Sequence, residues 1–295
     1  MYQELLNLIE CPLCRSKLTL STAKMSEEEI IEGTLTCNEG HRFSIRNGVV
    51  DFCSEEQSLI NQWSEAYKEM DYEAYDAHIE QLKSSREKEL QQLVLNQFIR
   101  EICPLKDKVV VDIASGRGML LTALAACADA SLRLIATDLS FEVLMYDRLK
   151  LKKRNPKLRA NFIACDAANL PLKSHCADRT VSFFGIANML DSTEHGIREA
   201  ARILKTDGAL FNAFLHIQEA SQGFEAVRKF YAEHQNPGAE TVYLPEIAAR
   251  MHENHFANVQ CETVCEDIKD SEESALDLLP YPGEWFAYVI YQCSI

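Results

Sequence analysis

The feature that most constrains the fold is a buried-strand pattern that runs directly into a glycine-rich turn. Residues 108–113 read KVVVDI, and residues 112–118 read DIASGRG. Three consecutive valines flanked by charged residues are typical of a parallel strand that is buried on both faces. A helix follows, with an apolar face that includes Leu120, Leu121 and Leu124. Because glycine lets the backbone approach a ligand closely, this strand–turn–helix unit predicts an α/β fold with a nucleotide-type site at the turn.

The alternation of strands and helices continues, and acidic residues end the strands. The chain predicts a second strand that ends at Asp138, a third that ends at Asp166, and then a fourth and a fifth strand. A dinucleotide-binding turn of the form G-x-G-x-x-G is disfavoured, because Met119 stands where the third glycine is required. The carboxyl ends of parallel strands meet at one edge of a sheet, so we expect Asp112, Asp138 and Asp166 to lie near a common site.

These motifs resemble the class I methyltransferases that depend on S-adenosylmethionine (SAM), in particular the methyltransferase type 11 group, over residues 55–295. The family's G-x-G-x-G turn corresponds to Ala114, Gly116 and Gly118, with alanine in place of the first glycine. The segment REAARILKTDGAL is also similar to a motif of that family. The resemblance implies a Rossmann-like, seven-stranded methyltransferase sheet whose last two strands are an antiparallel pair.

The resemblance also implies SAM as the cofactor and a set of residues that contact it. Asp138 corresponds to the acid that binds the ribose hydroxyls, and Asp166 to the acid that binds the adenine amino group, with Ala167 beside it. Tyr67 lies in a W-x3-Y segment that is similar to a helix that closes over the cofactor in many of these enzymes. The implied cofactor-binding residues are Tyr67, Asp112, Ala114, Gly116, Gly118, Asp138, Leu139, Asp166, Ala167 and Phe184.

The first fifty residues carry two pairs of metal-ligand residues. Cys11 and Cys14 form a C-x2-C pair, and Cys37 and His41 form a C-x3-H pair with Gly40 in the second turn. Zinc prefers four such sulfur and nitrogen ligands in a structural site, and four protein ligands leave no open coordination position. The spacing therefore predicts structural Zn²⁺ in a small zinc ribbon. Residues 11–53 resemble the amino-terminal segment of the 23S rRNA guanine-N1 methyltransferase family.

The motifs and the two resemblances divide the chain into three parts. We predict a zinc-ribbon domain over residues 1–54, connecting helices over 55–104, and a methyltransferase domain over 105–295. Asn47-Gly48 predicts a hairpin turn inside the ribbon, and helical spacing predicts a helix over 85–102. A segment of about 217–243 is predicted to be an insertion that forms a lid over the acceptor.

Charge and targeting signals narrow the class of partner. The formal net charge is −15, which disfavours tight binding to a phosphate backbone. The chain shows neither a secretory signal nor an apolar run long enough for a membrane helix, so we expect a cytoplasmic protein that does not bind membranes. The eight cysteines outside the ribbon are then expected to be reduced thiols.

Three functions remain open at this point. The favoured one is methyl transfer to a small-molecule acceptor, and the alternative is methyl transfer to an rRNA base. Residues 148–159 contain seven basic residues and no acid, which favours RNA, although such a run is more typical of a solvated helix face. The third hypothesis is a catalytically degenerate scaffold, suggested by Ala114 and Asp207 at glycine positions. Asn188 and His195, which follow the fourth strand, are the candidate catalytic residues, with His195 as a base.

Overall fold

The computed structural model describes residues 1–53, 72–234, 236–270 and 278–295. Its strands form one eleven-stranded sheet in the order β1-β2-β3-β4-β7-β6-β5-β8-β9-β11-β10. The strands are β1 (Leu18–Ser26), β2 (Glu29–Cys37), β3 (Arg42–Arg46), β4 (Val49–Asp51), β5 (Val109–Asp112), β6 (Arg133–Asp138), β7 (Arg159–Ala164), β8 (Ala177–Phe183), β9 (Leu204–Ile217), β10 (Asn258–Ile268) and β11 (Trp285–Ser294). The α-helices in the described ranges are α1 (Tyr72–Leu82), α2 (Ser85–Ile102), α3 (Met119–Ala125), α4 (Phe141–Arg154), α5 (Thr193–Ile203), α6 (Gln222–Glu233) and α7 (Pro245–Glu253).

The predicted seven-stranded α/β sheet is confirmed by strands β5 to β11. Five of them, from β7 to β9 across the sheet, are parallel, and β11 runs antiparallel between β9 and β10. All residues of β5 are buried, as the run of valines predicted. The chain proceeds outward from β5 to β6 and β7 and then crosses back to β8. The neighbouring β5 and β8 therefore form the topological switch point, where open α/β sheets bind their ligands.

The ribbon strands extend this sheet, which the sequence did not predict. The short strand β4 pairs in parallel with β7, with Val49 opposite Phe162 and Asp51 opposite Ala164. Val49 and Val50 are fully buried at this junction. An exposed sheet edge offers unpaired N–H and C=O groups, and β4 satisfies those of β7. The ribbon and the seven-stranded sheet thus share one continuous backbone ladder.

Two local predictions are confirmed, namely the hairpin turn at Asn47-Gly48 and the helix over 85–102. Asn47 and Gly48 form the turn between β3 and β4 with φ of 49° and 77°, as a primed hairpin turn requires. Helix α2 covers the predicted range of 85–102. The Ser84 hydroxyl accepts a hydrogen bond of 2.9 Å from the Glu87 main-chain N–H and so caps its first turn.

The segment that was predicted to be a lid contains helix α6 and a 3₁₀ turn at Ala239–Tyr243. The hydroxyl groups of Tyr231 and Tyr243 lie 3.2 Å apart and join these two elements. Glu284, which precedes β11, accepts main-chain N–H groups at the start of α6. The lid role of this segment stays a prediction.

The expectation that all eight remaining cysteines are reduced is wrong for two of them. Cys103 and Cys127 are joined by a disulfide. Cys103 caps the end of α2 and Cys127 follows the end of α3, so packing of the two helices brings their Cα atoms to 5.6 Å. Among the described helices, none is long and apolar enough to cross a membrane.

Candidate functional site

The glycine-rich turn lies between the carboxyl ends of β5 and β8. Ala114, Gly116 and Gly118 all have positive φ, of 53°, 54° and 66°. A side chain at Gly116 would meet open space, whereas one at Gly118 would collide with the Asp147 carboxylate at 2.6 Å. Across the switch point, a side chain at Gly185 would collide with the Ala114 carbonyl oxygen. Neighbouring atoms therefore pack closely against the turn at Ala114 and Gly118, whereas the space beside Gly116 is open. An open glycine fits a ligand that lies directly on the backbone.

Asp112 is a buried carboxylate without a hydrogen-bond partner. Its side chain ends β5 and is 1% exposed, and neither oxygen has a partner among the described residues. Burial raises the pKa of Asp112 well above its usual value, and the nearby carboxylates of Asp147 and Asp138 raise it further. A buried acid of this kind is costly for the fold, and a cationic ligand group would satisfy it.

Asp138 connects the second strand end to the glycine-rich turn. Its Oδ2 accepts a hydrogen bond of 2.8 Å from the Gly116 N–H, and its Oδ1 accepts one of 2.9 Å from the Ser140 N–H. Leu139, the next residue, is half-buried, and its carbonyl oxygen lies 3.5 Å from the Cys53 thiol. The ribbon thus ends beside the predicted ribose site.

Asp166 begins the loop after β7. Its Oδ1 accepts a hydrogen bond of 2.8 Å from the Ala168 N–H, which starts a 3₁₀ turn at Ala167–Asn169. In the register of the sheet, Asp112 pairs with Ala136, and Asp138 pairs with Ala164. Asp112 and Asp138 therefore end neighbouring strands, while Asp166 follows on the same edge two residues beyond the end of β7, which stops earlier than predicted.

An aromatic cluster adjoins the turn on the β8 side. Phe184 has a φ of 62°, and its ring centroid lies 4.8 Å from that of Phe183 and 5.0 Å from that of Tyr288. Phe98 from α2 meets Phe183 at 6.1 Å. A positive φ is unfavourable for an aromatic residue and persists only where packing holds it. These rings present apolar surface next to the predicted cofactor position.

Of three further predicted site residues, two are exposed and one lies outside the described residues. Asn188 is exposed in the 3₁₀ segment Ile186–Ser192, and His195 is exposed in the first turn of α5. No side-chain hydrogen bond of either residue to another described residue is seen, and their catalytic roles stay predictions. Tyr67 lies outside the described residues.

Asp147 is a residue near the turn that the sequence reasoning missed. It is 1% exposed on α4 and lies 2.8 Å from the ammonium group of Lys150. Burial raises the pKa of Asp147 to about 7, although Lys150 opposes the shift. A signal was present in the sequence, because Asp147 shares the apolar stripe of Val143 and Leu151 at intervals of four residues.

The four predicted metal ligands come together in the ribbon. The ligand atoms of Cys11, Cys14, Cys37 and His41 all lie within 4.8 Å of one another. The Sγ atoms of Cys14 and Cys37 are 3.6 Å apart, and the Sγ of Cys37 is 3.3 Å from Nδ1 of His41. Zinc–sulfur bonds of about 2.3 Å in a tetrahedron place sulfur atoms about 3.8 Å apart. The donor set and its spacing therefore fit one tetrahedral metal ion with no open position.

The first metal knuckle touches the loop that follows Asp166. The Arg15 guanidinium donates a hydrogen bond of 2.8 Å to the Leu170 carbonyl and another to the Asn169 side chain. The Asn169 amide donates in turn to the Pro12 carbonyl at 3.2 Å. Residues next to the predicted metal ligands are thus hydrogen-bonded directly to the predicted adenine loop.

Most basic residues of the segment at 148–159 are solvent-exposed, as expected, but several of them also form ion pairs with acids of the same chain. Arg148 is 7% exposed and pairs with the buried Glu29 of β2 at 2.6 Å. Four further basic residues form ion pairs, namely Lys150, Lys152, Lys153 and Arg159. Their acidic partners lie in β2, in α1 and at Glu28. These charges attach the ribbon and α1 to the sheet rather than forming a free basic surface.

Comparisons with known proteins match two separate parts of the chain. Residues 110–208 match the family model of a methyltransferase domain, and residues 3–48 match the model of Trm112p-like proteins. A demethylmenaquinone methyltransferase of Porphyromonas gingivalis is 28% identical over 162 residues, covering 52% of this chain and 65% of that protein. One from Bacteroides fragilis is 32% identical over 108 residues, covering 36% of this chain and 43% of that protein. The chain therefore spans less than two thirds of the length of these curated relatives.

A solved structure shows the same fold. Phosphoethanolamine N-methyltransferase 2 of Haemonchus contortus, in complex with SAM, superimposes with a TM-score of 0.50 at 14% identity. The match covers 68% of this chain and 51% of that chain. At this identity the likeness supports the methyltransferase fold alone.

Proposed function

We propose that this chain, in which a methyltransferase domain follows a Trm112p-like segment, transfers the methyl group of SAM to a small-molecule acceptor. The observation that carries the proposal is the orphaned carboxylate of Asp112 beneath an open glycine-rich turn, with Asp138 and Asp166 on the two strands beyond it. This edge offers acids for an ammonium group and for ribose and adenine hydrogens, and an open backbone surface between them. Those features fit SAM.

Each predicted cofactor contact has a stated chemical task. Asp112 would hold the amino group of SAM, Asp138 with Leu139 would hold the ribose, and Asp166 with Ala167 would hold the adenine. Gly116 and Gly118 give the backbone room, and Ala114 completes the turn. SAM supplies a methyl group already activated by a positive sulfur, so the chain mainly binds, orients and excludes water. Phe184 closes the β8 side, and Tyr67 is proposed as a further cover.

The acceptor is proposed to be a small apolar molecule with a planar ring. The rings of Phe183, Phe184 and Tyr288 offer flat apolar surface beside the cofactor site, which suits stacking against such an acceptor. Relatives named demethylmenaquinone methyltransferases support a quinone-like acceptor of this kind. His195 is the proposed base, and Asn188 is a proposed contact of the acceptor. Both residues are exposed.

Zinc is the proposed occupant of the Cys11, Cys14, Cys37 and His41 cluster, with a structural role because four ligands close the site. The cytoplasmic location drawn from the sequence stays a prediction. The RNA alternative is disfavoured, because five of the seven basic residues at 148–159 are engaged by acids.

Two measurements test the proposal. Isothermal titration with S-adenosylhomocysteine should give one site per chain, and absence of binding would favour the scaffold hypothesis. Labelled SAM should then transfer its methyl group to demethylated quinols from an acceptor panel. Ribosomal RNA is the comparison acceptor, and transfer to RNA with none to the small molecules would reject the small-molecule proposal.

A further inference from the structure

A buried lysine stands beside the glycine-rich turn with a weak acceptor on one side. Lys83 links α1 to α2, and its side chain is 4% exposed. Its ammonium group donates to Oε1 of Glu80 at 2.6 Å and to Oε1 of Gln91 at 3.0 Å. The third contact is the Met119 thioether at 3.6 Å. Because a thioether is a weak acceptor, one donor of this buried cation is poorly used.

The position of Met119 fixes where that donor lies. Met119 is the first residue of α3 and directly follows Gly118. Met119 directly follows the glycine-rich turn, which begins after Asp112 and is open beside Gly116. Lys83 therefore brings a desolvated positive charge to the helix end of the turn.

Other cations near the turn each contact two acids. Arg117 contacts Asp76 at 3.5 Å and Glu80 at 3.6 Å. Lys150 contacts Asp147 and Asp76 and also donates to the Arg117 carbonyl at 2.8 Å. Glu80, in contrast, is 45% exposed and has water available as an alternative partner. An anion that arrives at Lys83 can replace Glu80 or the thioether without leaving a buried charge unpaired.

We propose that Lys83 binds the carboxylate of the amino-acid end of SAM, an inference that rests on the proposed function. The adenosine end has its acids in Asp138 and Asp166, and the ammonium group has Asp112. The carboxylate next to that ammonium group requires a cation or N–H donors in the same place. Lys83 supplies the cation, and the low-polarity surroundings strengthen the pairing.

The test compares two ligands that differ in one carboxylate. Decarboxylated SAM retains the adenosine, the sulfonium and the ammonium group. The wild type should bind SAM about ten- to a hundredfold more tightly than decarboxylated SAM, the range expected for a hydrogen bond to a charged group. Lys83→Met should remove most of that ratio by weakening SAM binding while binding of decarboxylated SAM is unchanged. Isothermal titration measures all four affinities as a double-mutant-type cycle.

Two further variants and one control distinguish ligand binding by Lys83 from a purely structural role. Lys83→Gln, which retains an N–H donor for its protein partners, should lose the ratio as well. Glu80→Gln should leave SAM binding unchanged or tighter, because it removes the anion that competes for Lys83. Lys106→Met is the control, since Lys106 is 72% exposed and precedes β5 at the opposite edge of the sheet.

Equal weakening of both ligands in Lys83→Met, or a loss in Glu80→Gln that matches it, would assign Lys83 a purely structural role and overturn the proposal. A wild-type ratio near one would also overturn it, while the proposed function would stand as long as SAM binds. If the wild type binds neither ligand, the proposed function itself fails.

Discussion

The main-chain N–H of Gly116 donates a hydrogen bond of 2.8 Å to Oδ2 of Asp138. This bond connects the glycine-rich turn after β5 to the acid that ends β6. Asp138 thus supports the shape of the turn and also lies at the sheet edge where the ribose would bind. The conformation of the turn and the position of the Asp138 carboxylate therefore depend on each other.

Asp138→Ala should weaken binding of S-adenosylhomocysteine at least about tenfold, because a charge-assisted contact and a support of the turn are lost together. Asp191→Ala is the matched control, since Asp191 is an exposed acid beyond β8. Isothermal titration of both variants measures the difference. Equal affinities for the two variants would contradict the assigned cofactor site.

Asp112→Asn should stabilise the protein without ligand and weaken cofactor binding. Burial raises the pKa of Asp112 in the folded state above its usual value of 3.8. The unfolded chain releases this proton at lower pH, so wild-type stability declines as pH rises above about 3.8. Urea unfolding at pH 5 and pH 8 should show that the advantage of the variant grows with pH. A variant that is less stable than the wild type at both values would refute the argument.

Ala114→Gly should stabilise the fold by about 0.5–1 kcal/mol, because φ at Ala114 is 53° and alanine is strained in that region. Binding of S-adenosylhomocysteine should be retained. Ala201→Gly in α5 is the control of opposite sign and should destabilise by about 1 kcal/mol. Denaturant unfolding measures both, and a destabilised Ala114→Gly protein would show that the alanine methyl group contributes essential packing.

Glu29→Gln should destabilise the protein at pH 7 by about 3–5 kcal/mol, because it leaves Arg148 buried without its carboxylate. Burial alone would raise the pKa of Glu29, but hydrogen bonds from Arg148 and Lys152 lower it from 4.5 to about 2. The stability that Glu29 contributes is therefore present above pH 4.5 and is lost as pH falls towards 2. Thermal unfolding between pH 7 and pH 3 should show the two proteins converging.

The control for that experiment is Glu32→Gln, which removes a half-exposed partner of Lys24 and should change stability by less than about 1 kcal/mol. A gap between the wild type and Glu29→Gln that stays constant down to pH 3 would argue against the buried ion pair as the cause.

Removal of the metal should weaken cofactor binding as well as unfold the ribbon. Cys37→Ser or chelation breaks the cluster that positions Arg15, and Arg15 holds Asn169 and Leu170 in the loop after Asp166. Metal analysis, proteolysis and titration with S-adenosylhomocysteine follow the three effects. Cys261→Ser, at an exposed cysteine of β10, should change none of them. Unchanged affinity in the metal-free protein would separate the ribbon from the cofactor site.

The elements that carry a strong local pattern could be predicted from the sequence. The valine run of β5, the hairpin at Asn47-Gly48, helix α2 and each of the two pairs in the cysteine–histidine cluster depend on residues close together in the chain. The positions of Asp112, Asp138 and Asp166 were predictable for a related reason, since parallel strands bring their carboxyl ends to one edge. Pattern and topology together therefore locate the candidate site.

Contacts between distant segments could not be predicted in this way. The basic run at 148–159 has the same local pattern whether its charges face water, RNA or the same chain. The pairing of β4 with β7 places the ribbon beside α4, where Glu29 pairs with Arg148, so part of that run has partners within the chain. Lys83 and Met119 are likewise neighbours only because α2 packs on α3.

The sequence by itself determined the fold class, the cysteine–histidine cluster and the strand-end acids, because periodicity, turn geometry and ligand spacing are local properties of the chain. The tertiary structure alone decided which charges are buried together, that the ribbon joins the sheet, and which groups surround the glycine-rich turn. Those outcomes depend on burial and long-range pairing, where desolvation gives the same charged residue opposite roles at the surface and in the interior.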